Sequence, residues 1–129
     1  MPTAAEAMYP NGPSTTMGQS NMEAANQAMG LSPQERYLYQ HHLDNLAKGG
    51  VKQPDGKTST IFKMDVEVNG KTYNIPTVWD NKIVDPDEAM KRAGKVGLDK
   101  FPSYDTPDEA TNRYNQMHDF MERDLANSP

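Results

Sequence analysis

Four acids crowd the stretch NIPTVWDNKIVDPDEA, residues 74–89: Asp80, Asp85, Asp87 and Glu88. Oxygen ligands this close together could build a calcium loop or a carboxylate pair for hydrolysis. A calcium loop needs oxygens at alternating positions around a central Gly, and here Lys82 and Val84 fall where ligands should be. Each acid also fits a structural position. Asp80 belongs to a turn with Asn81, Asp85 precedes Pro86 as a helix N-cap, and Asp87 and Glu88 face the positive end of the helix dipole. The three histidines, His41, His42 and His118, offer little more. Adjacent residues on a helix point about 100° apart, so His41 and His42 do not share a metal, and the four-residue spacing of H-E-x-x-H is absent. Asp65 and Glu67 could serve as a glycosidase pair, but strand alternation puts both on a solvated face. No P-loop, dinucleotide fingerprint or G-x-S-x-G occurs. The expectation is no catalytic residue, no metal and no cofactor.

The elements that position these residues read clearly from Leu31 on. Ser32, Pro33 and Glu35 form a capping box with Pro at the first helical position. Leu38, His42 or Leu43, and Leu46 recur at helical spacing until Gly49-Gly50, which predicts a helix over 33–48. A Pro54-Asp55-Gly56 turn follows. STIFKMDVEVNGKTYNIPTVW then alternates, and Asn69-Gly70 predicts a two-residue type I′ hairpin. That turn sets the register: Val68 faces Lys71, Val66 faces Tyr73, Met64 faces Ile75 and Phe62 faces Thr77. These pairs are expected on the core face, and Glu67, Thr72, Asp65 and Asn74 on the polar one, with Ile61 and Val78 as the apolar exception. Pro76 must sit where no ladder N–H is needed. A short third strand is expected at Lys82–Val84. Two helices close the chain, starting at the similar stretches Asp85-Pro86-Asp87-Glu88-Ala89 and Thr106-Pro107-Asp108-Glu109-Ala110. The first ends near Gly94–Gly97. The second runs to about Asn127, with Ala110, Tyr114, Met117, Met121 and Leu125 as its apolar stripe and Phe120 beside it.

Residues 1–30 contain no Leu, Ile, Val, Phe or Trp, but five of the nine Met. Such a segment does not bury enough apolar surface to offset backbone ordering of about 1–2 kcal/mol per residue. It is read as an extended flexible arm, with a helical tendency around Asn21–Met29, that becomes ordered on a partner. Scattered Met suits an adaptable contact surface. The candidate partner-binding residues are therefore Met8, Tyr9, Met17, Met22 and Met29 in the arm, and Trp79, whose amphipathic ring suits a core or an interface. The expected architecture is α+β: an arm over 1–30, then one domain over 31–129 with a helix, a two- to three-stranded antiparallel meander, and two helices packed on it.

The chain has 129 residues, a formal net charge of −5 and no cysteine. The acidic balance argues against direct nucleic-acid binding, which needs a basic face. Lack of cysteine excludes a disulfide framework and thiolate zinc sites. No apolar run approaches the roughly 20 residues that span a bilayer, and no signal peptide is expected. The landmarks Gly49-Gly50 with Pro54-Asp55-Gly56, Ser59-Thr60, Ile75-Pro76-Thr77-Val78, Phe101-Pro102, and Glu109-Ala110 with His118 resemble a small domain of tailed-bacteriophage virion proteins. That domain occurs alone in short proteins or inside longer internal and tail-associated ones. The likeness covers about three quarters of the chain and leaves out the first 30 residues. It implies a non-enzymatic component of the virion, attached in multiple copies to capsid, portal or tail subunits as a head-cement or small accessory protein. The alternatives are an accessory to cell-wall enzymes and a host-directed regulator made during infection.

Overall fold

A computed structural model describes the backbone of residues 13–126 and the side chains of residues 21–126. The elements in chain order are α1 (Pro13–Met29), α2 (Pro33–Ala47), β1 (Val51–Lys52), β2 (Thr58–Ser59), β3 (Met64–Val68), β4 (Lys71–Ile75), β5 (Val78–Trp79), β6 (Lys82–Ile83), α3 (Pro86–Val96), a 3-10 turn (Leu98–Lys100), β7 (Ser103–Tyr104) and α4 (Pro107–Ala126). The fold is α+β, as expected.

Local chemistry explains the boundaries. The Ser32 hydroxyl accepts the Glu35 N–H at 3.0 Å, and the Glu35 carboxylate accepts the Ser32 N–H at 2.9 Å. This reciprocal pair fixes the start of α2. At the other end the Gly50 N–H returns to the Asn45 carbonyl at 3.0 Å. Gly50 has φ +69, and a Cβ there would lie 2.4 Å from the Thr58 side chain and 3.3 Å from the Ser59 carbonyl, so a side chain here would strain this crossing of helix end and hairpin.

The β3–β4 register is the expected one, with Val68 opposite Lys71, Val66 opposite Tyr73 and Met64 opposite Ile75. Asn69 and Gly70 both have positive φ, 53° and 79°, which makes the turn type I′. Gly70→Val is expected to cost more than about 1 kcal/mol, and a melting curve left unchanged would contradict the turn.

Three expectations need correction. First, Lys82–Val84 does not extend the meander. Pro76 has no N–H to continue the ladder, and the place beside β4 is taken by β7, with Thr72 opposite Tyr104. Val78–Trp79 and Lys82–Ile83 instead form a separate hairpin, closed by Asp80 and Asn81 at φ 53° and 61°. Second, the polar face of β4 is covered. Thr72 and Asn74 are buried, and the Asn74 amide donates to the Ala110 carbonyl of α4 at 3.1 Å. Phe62, placed on the core face by alternation, is 56% exposed because the chain bends there at φ +44. Third, the boundary at residue 30 does not separate an extended arm from a domain. From Pro13 the chain is helical, and Ala25 is fully buried in a core with Leu31, Leu38, Tyr39, Ile61, Tyr114, Met117 and Met121. Small Ala side chains let α1 approach α4 closely, and Met22 and Met29 fill the space at the edge of that core. The part of the arm reading that concerns residues 1–12 lies outside the described residues.

A second cluster joins Ile75 of β4, Ala89 and Ala93 of α3, and Phe101. Tyr37, Met64, Val66, Tyr73 and Trp79 pack around it. The molecule thus has a helical core between α1, α2 and α4, and a sheet-on-helix core under α3.

Candidate functional site

The side chains with the best geometry for chemistry form a buried row across the helical core. His42 of α2 is fully buried. Its Nδ1 lies 2.6 Å from the Thr60 hydroxyl, and its Nε2 lies 3.0 Å from a carboxylate oxygen of Asp124 in α4. An ionised carboxylate only accepts, so Nε2 donates to Asp124, and in the neutral ring the Thr60 hydroxyl donates to Nδ1. Carboxylate, imidazole and hydroxyl stand in the order used to activate an oxygen nucleophile.

The surroundings give this row a different role. Asp124 also accepts the Tyr39 hydroxyl at 2.6 Å and the Asn21 side-chain amide of α1. Burial and the adjacent carboxylate push the Tyr39 phenol far above its ordinary pKa, so it stays a donor. Thr60 is 5% exposed, and its carbonyl accepts the Asn45 side-chain amide at 2.7 Å. The row ties α1, α2, α4 and the segment after β2 together, and its side-chain groups bond to one another. A fully satisfied buried network of this kind specifies how helices meet.

A second node lies at the other end of α4. Arg113 donates to both Glu35 oxygens, at 2.9 and 2.7 Å, and to the Met29 carbonyl at 3.1 Å. The Tyr104 hydroxyl adds a bond to Glu35 at 2.7 Å. Burial pushes the Glu35 carboxyl up, but the bonds from Arg113, Ser32 and Tyr104 outweigh it and hold the carboxyl below its ordinary value. Arg92, which follows Ala89 by three residues as Arg113 follows Ala110, instead makes surface pairs, with Asp80 at 2.6 Å and Glu88 at 2.8 Å.

The acids of residues 80–88 do the structural work expected of them. Asp85 accepts the Glu88 N–H at 2.8 Å as the cap of α3, and Asp80 sits in its turn. Among the described residues, no group of three or more histidines and acids is placed to hold a metal ion. No described helix is long and apolar enough to cross a membrane.

Of the residues expected to meet a partner, Met22 and Met29 pack against the chain's own core. Met8, Tyr9 and the side chain of Met17 lie outside the described residues. Trp79 is half-buried, donates its indole N–H to the Pro76 carbonyl at 2.8 Å and meets the His41 ring edge-on at 4.8 Å. His41 donates from Nε2 to the Val78 carbonyl at 2.7 Å. Burial lowers the His41 pKa, and the Val78 bond only partly offsets this. The fold therefore favours the neutral ring. Its contribution to stability is complete above the unfolded value near 6.5 and falls as pH drops through the lower folded value. His41→Gln is expected to flatten the melting temperature between neutral pH and that window relative to the unaltered chain. Parallel pH profiles would contradict the assignment.

What the sequence does not single out is a groove of about 580 Å³ between α4 and the segment from Gln53 to Lys63. Tyr114, His118, Met121, Glu122 and Leu125 line one side, and Phe62 lines the other.

No family model, curated protein or solved structure matches the chain.

Proposed function

We propose that the chain is a non-enzymatic structural component of a tailed-bacteriophage particle, attached in multiple copies to capsid, portal or tail subunits. The observation that carries the binding role is Phe62. A large aromatic side chain, 56% exposed, stands at the rim of an open groove on a backbone bend at φ +44. Non-glycine residues adopt that conformation only when their surroundings impose it. Here the imposing contacts are the Thr77 hydroxyl on the Phe62 carbonyl, and the Thr77 and Val78 N–H groups on the Ile61 carbonyl. An exposed aromatic held rigidly at a groove is the usual anchor of a protein interface. The non-enzymatic part is supported by the His42 row, whose reactive groups are spent inside the fold. The particle itself is supported by the resemblance of the chain between Leu31 and Asp124 to virion domains.

Co-sedimentation of the purified chain with particles that lack it tests the proposal. Saturable binding at a fixed stoichiometry is expected, and Phe62→Ala should weaken it about tenfold or more. Binding that never saturates would contradict an attachment role. Peptidoglycan cleavage that disappears in Thr60→Val or His42→Gln would favour the enzyme-accessory alternative.

A further inference from the structure

The segment that carries Phe62 has an unusual backbone arrangement. Three successive carbonyls are engaged by donors of one cluster. The Thr60 carbonyl accepts the Asn45 amide at 2.7 Å, the Ile61 carbonyl accepts the Thr77 and Val78 N–H groups at 2.9 and 3.2 Å, and the Phe62 carbonyl accepts the Thr77 hydroxyl. Asn45 itself also bonds the Val78 carbonyl, so all three partners belong to one cluster. A trans peptide is planar, and its N–H is directed opposite to its C=O. The structure has no cis peptide bond among its described residues. The N–H groups of Ile61, Phe62 and Lys63 therefore point away from that cluster, and none has an acceptor within the described residues. All three residues line the groove. Successive outward N–H groups form a concavity for an anion.

The groove adds charge and apolar surface around this concavity. Lys57 and Lys63 line it. Lys57 has no ion-pair partner among the described residues, and Lys63 sits 5.2 Å above the Tyr114 ring while pairing with Asp65 at 2.7 Å. Two acids line it as well: Asp55 accepts the Lys57 backbone N–H, and Glu122 lies 3.4 Å from His118, so the amides and Lys57 must outweigh them for an anion to bind. Phe62, Tyr114 and Met121 supply apolar walls beside the amides. The outer edge of β3, which begins at Met64 directly after the three amides, has no partner strand among the described residues.

We infer that this groove binds the free C-terminal carboxylate of an extended partner chain with an apolar last residue. The carboxylate bonds the amides of Ile61, Phe62 and Lys63. The last side chain lies against Phe62, Tyr114 and Met121, and the preceding residues run along the open edge of β3. Recognition of a chain terminus by backbone amides beside an apolar pocket is an established physical mode of peptide binding. The inference rests on the protein-binding reading above and gives that reading a partner chemistry.

Amide NMR of the full chain tests it, with the free acid of acetyl-Ala-Ala-Leu as the probe. Saturable shifts are expected at Ile61, Phe62 and Lys63. The carboxamide of the same peptide should bind at least about fivefold more weakly, and so should the free acid to Phe62→Gly. Equal responses to acid and carboxamide, or no shift at these amides at millimolar peptide, would overturn the inference. Shifts of the same size from inorganic phosphate alone would overturn its peptide part. These failures leave particle attachment intact, whereas loss of saturable co-sedimentation by the unaltered chain defeats the broader proposal first.

Discussion

Arg113→Met is expected to lower stability by about 3–5 kcal/mol in urea unfolding. Glu35 has a side chain only 3% exposed, and Arg113 supplies two of its four hydrogen bonds. Removing the guanidinium leaves a buried carboxylate with too few donors. The loss also frees the Met29 carbonyl at the end of α1. Because the damage comes from an unpaired charge, Arg113→Met combined with Glu35→Leu should recover much of it. Acid should reproduce part of the effect. The Glu35 carboxyl is held below its ordinary value of 4.5, so its contribution is complete above that value and is lost as pH falls through the lower folded pKa. This window opens at 4.5 and that of His41 at 6.5, so the two variants should begin to depart from the unaltered profile at different pH. A cost under about 1 kcal/mol for Arg113→Met would place the pair among ordinary surface ion pairs instead.

Asp124→Ala should be comparably severe, about 3 kcal/mol or more. Three donors converge on this carboxylate, from Tyr39, His42 and Asn21. Tyr39 and His42 would be left buried without their acceptor, at about 1–3 kcal/mol apiece, and the half-buried Asn21 amide would lose its partner. Asp124→Asn keeps an acceptor oxygen and should cost less. The location of the damage is as informative as its size. Asn21 connects α1 to this row, so amide exchange should accelerate throughout the described part of α1 before it does in β3 and β4. Uniform acceleration over the whole chain would contradict the row as the tie that holds α1.

Elements with a local cause were legible in the sequence. The capping box at Ser32, the cap at Asp85 and the Asn69-Gly70 turn each depend on residues within a few positions of one another, and each formed as expected. The β3–β4 register followed from the turn alone. Features set by distant segments were not legible. Residues 13–29 carry too few large apolar side chains for a core of their own, but α4 supplies the opposing surface. Composition counted over a window does not see a borrowed core. The polar face of β4 misled for the same reason, since a helix carbonyl at Ala110 accepts the Asn74 side-chain amide.

The buried row was partly legible. Asp124 is the charged residue among Met117, Met121 and Leu125 on the apolar side of the last helix, and His42 holds an apolar-stripe position in the earlier one. A charge on an apolar stripe signals a buried partner. The separation of 82 residues between His42 and Asp124 hides which partner it is. The groove amides had no sequence signal, because their direction depends on where Asn45, Thr77 and Val78 lie.

The central claim is that this chain is a constituent of the particle rather than a protein that acts on the host. Quantitative mass spectrometry of gradient-purified particles tests it most directly. The account predicts the chain at a fixed copy number relative to the capsid or portal subunit, unchanged through a second purification. Abundance in the infected-cell lysate with absence from purified particles would contradict it.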